Sequence, residues 1–271
     1  MRNEETEYIK NVPDFINWTM TLKETEGSPS FPNNNLFFRG HASDEYVLQA
    51  GLFRDGKIDE HECFQTAVNR CWYEVRSFNS LEKMVYFQHY GLKTRLLDVT
   101  SNPLVALFFA CQECNGKDGQ VRYGSCDKTD MTIVNLIADI IANKDLDVQY
   151  PDCKWLIKIS ETYKLKSNEH LYNLLSIPYY VCAPFNSPRI ISQRGAFVMT
   201  PLLTKRDNDY VFACNFDFDN TDQSNCMFGK KNIIIEAKYK NIILKELSLL
   251  GIDDSSIFAD TSHLCQILIK R

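Results

Sequence analysis

Three short stretches carry residue types suited to chemistry. The longest reads QHYGLKTRLLDVTSNPLVALFFAC, residues 88–111. It sets His89, Arg95, Asp98, Thr100 and Ser101 against a long apolar run. Burying such groups costs several kcal/mol unless they pair, so their position needs a reason. A ligand is one reason, because hydroxyls and free N–H groups at a helix start form a natural anion site. The plain structural alternative makes Asp98, Thr100 and Asn102 capping residues and Arg95 their ion-pair partner. In an extended segment Arg95 and Asp98, three apart, lie on opposite faces. One then faces a pocket while the other anchors structure.

The second stretch is FFRGH, residues 37–41. Arg39 follows an apolar strand, and its planar fork suits phosphate or carboxylate. Gly40 admits the close approach of a ligand or of another backbone. The alternative for Arg39 is a salt bridge to Glu62 or Asp98. The third stretch, RIISQRGAFVMT at 189–200, reads as a strand. Alternation places Ile191, Gln193 and Gly195 on one face. A glycine inside a strand marks a close approach, and Gln193 suits a sugar hydroxyl or a base edge. The alternative is a strand-edge glutamine at a bulge. Cys111 and Cys114 form a single C-x-x-C at the end of an apolar helix. Zinc wants four ligands, so they read as buried small residues and no metal is expected. His61 and Glu62 lie on a solvated helix face, and His170 and His263 lack partnered metal spacing.

The elements that must hold these residues follow from periodicity. Phe15, Ile16, Trp18 and Leu22 mark an amphipathic helix with Pro13 in its first turn. The loop GSPSFPNNN separates it from the strand LFFRG, which Gly40 ends. Helices are predicted over 59–79 and 81–89, with Gly91 as a left-handed cap. TRLLDVT is a short buried strand, and NPLVALFFAC is a buried helix with Asn102 near its cap and Pro103 at its first position. QVRYG, MTIVNL, CKWLIKI, PYYVC, RIISQRGAFVMT, YVFACNF and NIIIEAKY read as strands, being β-branched and aromatic. A helix interrupts them near 168–176. KNIILKELSLLG and residues 255–270 read as closing helices. The order predicts an α+β fold with a central, mostly antiparallel sheet and helices at both ends of the chain. A doubly wound fold is disfavoured, since no Gly-rich phosphate turn is present.

Composition narrows the function. The 271 residues are 44% hydrophobic and 24% charged, as in a globular protein with a full core. Thirty Lys and Arg against thirty-five Asp and Glu give a net charge of -5. That argues against broad, nonspecific nucleic-acid binding, which relies on clustered cations. Neither a signal peptide nor a run of roughly 20 apolar residues is visible, so a cytoplasmic protein without membrane contact is expected. The ten scattered cysteines then read as reduced thiols.

Taken together, FFRG at 37–40, QHYGLKTRLLDVTSNPLVALFFA at 88–110 and RIISQRGAF at 189–197 resemble the FRG domain family, named for its aromatic-Arg-Gly motif. KNIILKELSLLGIDDSSIF looks like the family's closing segment. The resemblance runs from about residue 10 to 265, implying a single domain over 1–271, and points to bacteria and their phages. The motif order is also similar, more distantly, to the Arg–Ser–Glu class of ADP-ribosyltransferases. That similarity implies an ADP-ribosyltransferase-like fold with NAD as substrate and an unknown macromolecular acceptor, in a toxin or phage-defence setting. It gives Arg39 the phosphates and Thr100 and Ser101 the nicotinamide pocket. The nucleotide-binding set is then Arg39, Gly40, Tyr90, Arg95, Thr100, Ser101 and Gly195. Gln193 takes the place of the late glutamate and departs from the class, because an amide offers no full negative charge. Asp98 is the first substitute and Glu62 the second, while His89 acts as a base or packs over the nicotinamide. A non-catalytic nucleotide-binding module or sensor is the alternative, and a nucleic-acid-acting protein is a further one.

Overall fold

A computed structural model of the chain describes residues 6–25, 35–54, 58–113, 115–126, 129–143, 168–182, 187–206, 209–219, 226–228 and 232–259. An eight-stranded mixed sheet forms the frame. Its strands are β1 (Thr6–Tyr8), β2 (Asn35–His41), β3 (Leu96–Thr100), β4 (Gly119–Cys126), β5 (Tyr179–Val181), β6 (Gly195–Met199), β9 (Cys226–Phe228) and β10 (Asn232–Ile235). The order is β1-β10-β4-β2-β3-β6-β5, with β9 also on β4. Only β1 and β10 run parallel among these pairs. Strands β7 (Leu203–Arg206) and β8 (Asp209–Phe212) form a separate hairpin. The α+β class with a mostly antiparallel sheet is therefore the one observed.

The helices divide into two groups. Helices α1 (Val12–Thr25), α5 (Pro103–Ala110) and α9 (Ala237–Leu249) enclose a core with Phe38, Val121, Ile233 and Ile235. Helices α2 (Glu60–Arg70), α4 (Ser80–His89), α6 (Met131–Asn143) and α7 (Asn168–Leu175) enclose another with Leu96, Tyr179, Phe197 and Met199. Side chains alternate across a strand, and Phe37, Leu97, Val99, Ala196 and Val198 form a third cluster with Phe216 and Phe218.

The seam between the two halves is narrow. Strand β2 pairs with β4 along seven residues, but its register with β3 has the single pair Phe38–Thr100. Beyond that pair the strands part. Helix α5 lies over β2 and β4, on one side of the seam. A Cβ on Gly40 would lie 1.9 Å from the Ala106 carbonyl oxygen and 2.7 Å from the Ala110 nitrogen, and one on Gly119 would lie 2.0 Å from the Ala110 oxygen. The absent side chain of Gly40 thus admits another backbone, the second of the two partners expected.

Several local expectations are corrected. MTIVNL is helical, not a strand: extended to residue 143, its apolar positions Ile133, Val134, Ile137, Ile140 and Ile141 recur at three and four. Asp130 caps it, accepting from the Thr132 and Ile133 N–H groups. The start of RIISQRGAFVMT is also helical. The Ser187 hydroxyl accepts from Ile190 N–H and Pro188 holds the first turn of α8 (Pro188–Ser192). Residues 59–79 form two helices, α2 and α3 (Trp72–Val75), broken at Cys71. Strand β2 runs past Gly40 to His41. NIIIEAKY divides into β10 and the start of α9. YVFACNF is a strand only to Phe212. The closing helix α10 spans Asp254–Ile257. CKWLIKI, and nearly all of the 27–35 loop, lie outside the described residues, as do positions 260–271.

Gly40→Ala forces a methyl group into the α5 backbone. The expected loss is about 1–3 kcal/mol or more, read as a lower denaturant midpoint, whereas Gly91→Ala costs less because nothing lies within 4 Å of its Cβ position and only its positive φ is strained.

Candidate functional site

Where β2 and β3 part, a cleft of about 400 Å³ opens between the two helical groups. Its floor is Phe38, Arg39 and Gly40 on one strand and Asp98, Val99 and Thr100 on the other. Gln88 and His89 of α4, Phe109 of α5, and Arg189 and Gln193 of the α8 turn complete the wall. Seven of the ten sequence-derived residues therefore meet in one place: Arg39, Gly40, His89, Asp98, Thr100, Gln193 and Gly195.

Arg39 bridges the gap. Its Nη1 donates to the Asp98 carbonyl at 2.5 Å and lies 3.8 Å from Asp98 Oδ2. Its Nε donates to His41 Nε2 at 3.1 Å. Among the described residues, three of the five guanidinium N–H bonds have no hydrogen-bond acceptor. The side chain is only 15% exposed, against 66% for Asp98. Burial lowers the Arg39 pKa to about 10; Asp98 opposes that shift and Arg54 adds to it. Asp98 is in turn oriented by Gln88, whose Nε2 donates to Oδ1 at 2.7 Å. The Gln88 amide oxygen accepts from the Thr94 hydroxyl, which settles the amide's direction. The expected ion pair of Arg39 with Asp98 is thus present, and its carboxylate still faces solvent.

His41 was not singled out from the sequence. Its signal was available, since i and i+2 share a strand face and put it beside Arg39. Burial first, then Arg39, Arg122 and Arg54, drive its pKa down to about 3. The ring is neutral at pH 7, as an acceptor for Arg39 must be. Arg189, Gln88, Phe109 and Phe197 were also missed as cleft residues. All four lay inside the quoted stretches, but a strand reading of residues 189–200 hid the helical turn that carries Arg189.

Four residues are reassigned. Arg95 is buried away from the cleft, clamped by Glu60 through Nε at 2.9 Å and Nη2 at 2.5 Å, with Nη1 on the Pro201 carbonyl at 2.7 Å. It is a structural anchor, and its partner is Glu60, not Asp98. Tyr90 is 70% exposed and packs on Tyr86 and His89 rather than lining the cleft. Ser101 is exposed outside the cleft, its hydroxyl donating to the Arg194 carbonyl at 3.3 Å. Glu62 is an exposed first-turn residue of α2. Thr100 lines the cleft, but its hydroxyl donates to the Gln193 carbonyl at 2.7 Å and accepts from Asn102 N–H at 3.0 Å. Gln193 ends a helix instead of sitting on a strand, and the next residue, Arg194, takes φ +48°. The positive φ falls there and not on Gly195. The Gln193 Nε2 donates to the Ile257 carbonyl at 3.3 Å. Cys111 is buried, and burial pushes its thiol up to about 12, which disfavours a metal-binding thiolate; Cys114 lies outside the described residues.

Glu60→Gln leaves the Arg95 charge without its counter-ion. A loss of about 3–5 kcal/mol is expected in denaturant unfolding. His41 gives a pH signature. The folded ring stays neutral down to about pH 3, while the unfolded ring takes a proton below about 6.5. Its contribution is complete above the unfolded value and is lost as pH falls towards the folded one. His41→Gln keeps an acceptor for Arg39 and removes this titration. Its stability should fall less steeply between pH 6 and 4, by up to about 1.4 kcal/mol per pH unit; equal slopes for variant and wild type would show that His41 is not held neutral.

The comparisons bear on the same residues. Residues 34–119 match the family model of the FRG domain. No curated protein and no solved structure matches the chain. The matched span holds β2, α2 to α4, β3 and α5, so it supplies Arg39, Gly40, Gln88, His89, Asp98, Thr100 and Phe109, while Arg189 and Gln193 come from beyond it. The chain therefore resembles the FRG domain family over residues 34–119, and the cleft floor is built within that matched span.

Proposed function

We propose that the cleft binds NAD and breaks its nicotinamide–ribose bond, as an ADP-ribosyltransferase-like enzyme. The observation that carries this reading is Asp98: it is the carboxylate lining the cleft, it is solvent-facing, and Gln88 and Arg39 fix its position. In the reaction the C–N bond electrons leave with nicotinamide. The ribose carbon gains a bond to oxygen from water or from a macromolecular acceptor, whose proton passes to solvent. The ribose is cationic while that exchange occurs, and Asp98 supplies the opposing charge that Gln193 lacks. The Gln193 amide oxygen accepts from a ribose hydroxyl, since its nitrogen already donates to Ile257. Arg39 contributes its remaining N–H groups to a phosphate. Thr100 lines the cleft, and Ser101 holds the adjoining turn from outside it; both hydroxyls donate to backbone carbonyls instead of to the ligand.

A second reading is a nucleotide-binding module that does not turn over. The uncharged Gln193 and the engaged Thr100 and Ser101 hydroxyls favour it. One measurement separates the two: nicotinamide release by wild type, Asp98→Asn and Gln193→Glu, beside thermal melts. The catalytic reading expects Asp98→Asn to lose roughly a hundredfold or more in rate. Its melting temperature should barely move, because the side chain is two-thirds exposed. Gln193→Glu should gain little, since two neighbouring carboxylates raise one another's pKa. An inactive wild type together with an inactive Gln193→Glu would remove the enzyme and leave the binding module.

A further inference from the structure

We infer that Arg189 is the principal anion-binding residue of the cleft and takes the diphosphate of the ligand. The inference rests on the nucleotide reading above and adds which part of the nucleotide is held, and by what. Two arginines line the cleft, Arg39 and Arg189, against one carboxylate, Asp98. Asp98 pairs with Arg39. Arg189 has no carboxylate within ion-pair distance among the described residues. It is also half-buried. An uncompensated positive charge thus lines a cleft in a chain whose net charge is -5. An anionic ligand neutralises it, and a neutral nucleoside would not.

The arginine is also prepared for that task. Its guanidinium carbon stands 5.0 Å from the centroid of the Phe258 ring. Stacking on an aromatic face restrains the guanidinium and leaves its in-plane N–H edge for a two-pronged phosphate contact. The backbone beneath it is braced twice. Its carbonyl accepts from Gln193 N–H at 3.0 Å and from the Ser192 hydroxyl at 3.0 Å. The Ser192 hydroxyl shares its one hydrogen between that carbonyl and the Ile257 carbonyl, 2.9 Å away. Residues 257 and 258 therefore hold the α8 turn and its arginine together, and Phe258 is a positioning residue. A diphosphate suits the site better than a single phosphate because the second arginine, Arg39, lies on the floor of the same cleft with three N–H bonds to give.

Calorimetry tests this with ADP-ribose, AMP and inorganic pyrophosphate on wild type, Arg189→Gln, Arg189→Lys and Phe258→Leu. Wild type should bind ADP-ribose and pyrophosphate, more weakly as salt rises. Arg189→Gln should lose at least roughly tenfold for both, Arg189→Lys should recover little, and Phe258→Leu should lose less than Arg189→Gln. Cooperative melts should persist in all four proteins. Wild-type-like ADP-ribose binding by Arg189→Gln overturns the inference and leaves the nucleotide reading intact. Pyrophosphate binding that depends on Arg189, without any binding of ADP-ribose or NAD, keeps the anion site and overturns the nucleotide reading. AMP binding as tight as ADP-ribose overturns the diphosphate assignment, and wild type that binds none of the probes overturns both proposals.

Discussion

The Arg39 guanidinium stands in a gap where two strands of one sheet stop pairing. After Phe38 and Thr100, β2 and β3 part, and a cleft opens in the sheet that should have been continuous. Arg39 bridges that opening by donating to the Asp98 carbonyl from one strand to the other. A charged donor in so dry a place needs acceptors, and His41 and Asp98 provide them. The imidazole can do so only if it stays neutral, and the surrounding arginines with burial enforce that. Cleft, carboxylate and bridging cation are thus consequences of one interrupted ladder.

The polar residues between 94 and 102 divide into two kinds of work. Arg95 and Thr94 lie against core. Arg95 is satisfied by a buried carboxylate, and Thr94 by an amide that in turn directs Asp98. Thr100 and Ser101 clasp the turn that bears Gln193 and Arg194, through the Gln193 and Arg194 carbonyls. That clasp holds Arg194 in a left-handed conformation that a non-glycine residue adopts only at some cost. The strain is placed beside the cleft, where it fixes the direction of Gln193. The helix that follows, α5, is pinned by the Asn102 side chain at its start and by Gly40 and Gly119 beneath it. Only glycine in the strands lets a helix backbone come that close.

Much of this was written in local patterns. The spacing of apolar residues identified α1 and the 59–79 stretch that holds α2 and α3, because a 3.6-residue period needs only neighbours on the same helix. Gly91 as a left-handed cap, and Pro103 after Asn102, were readable because capping is decided within a few residues. The opposite duties of Arg95 and Asp98 followed from alternation alone. Short apolar windows were another matter. MTIVNL and RIIS look extended because β-branched residues fill them, and only the longer helix or the Ser-Pro start corrects that.

The sequence by itself determined the class of fold, the FRG stretch and the polar residues that gather at its centre, since each depends on residue type and short spacing. Tertiary structure decided which of those residues share a cleft. Glu60 claims Arg95 from 35 positions away, and Ile257 claims the Gln193 amide from 64. The pairing of β3 with β6 brings residue 98 opposite Phe197. Arg189 enters the cleft because a helical turn, stacked on Phe258, carries it there. Such contacts join residues distant along the chain, and no local period encodes them; they exist only once the strands have paired and both helical groups have settled on the sheet.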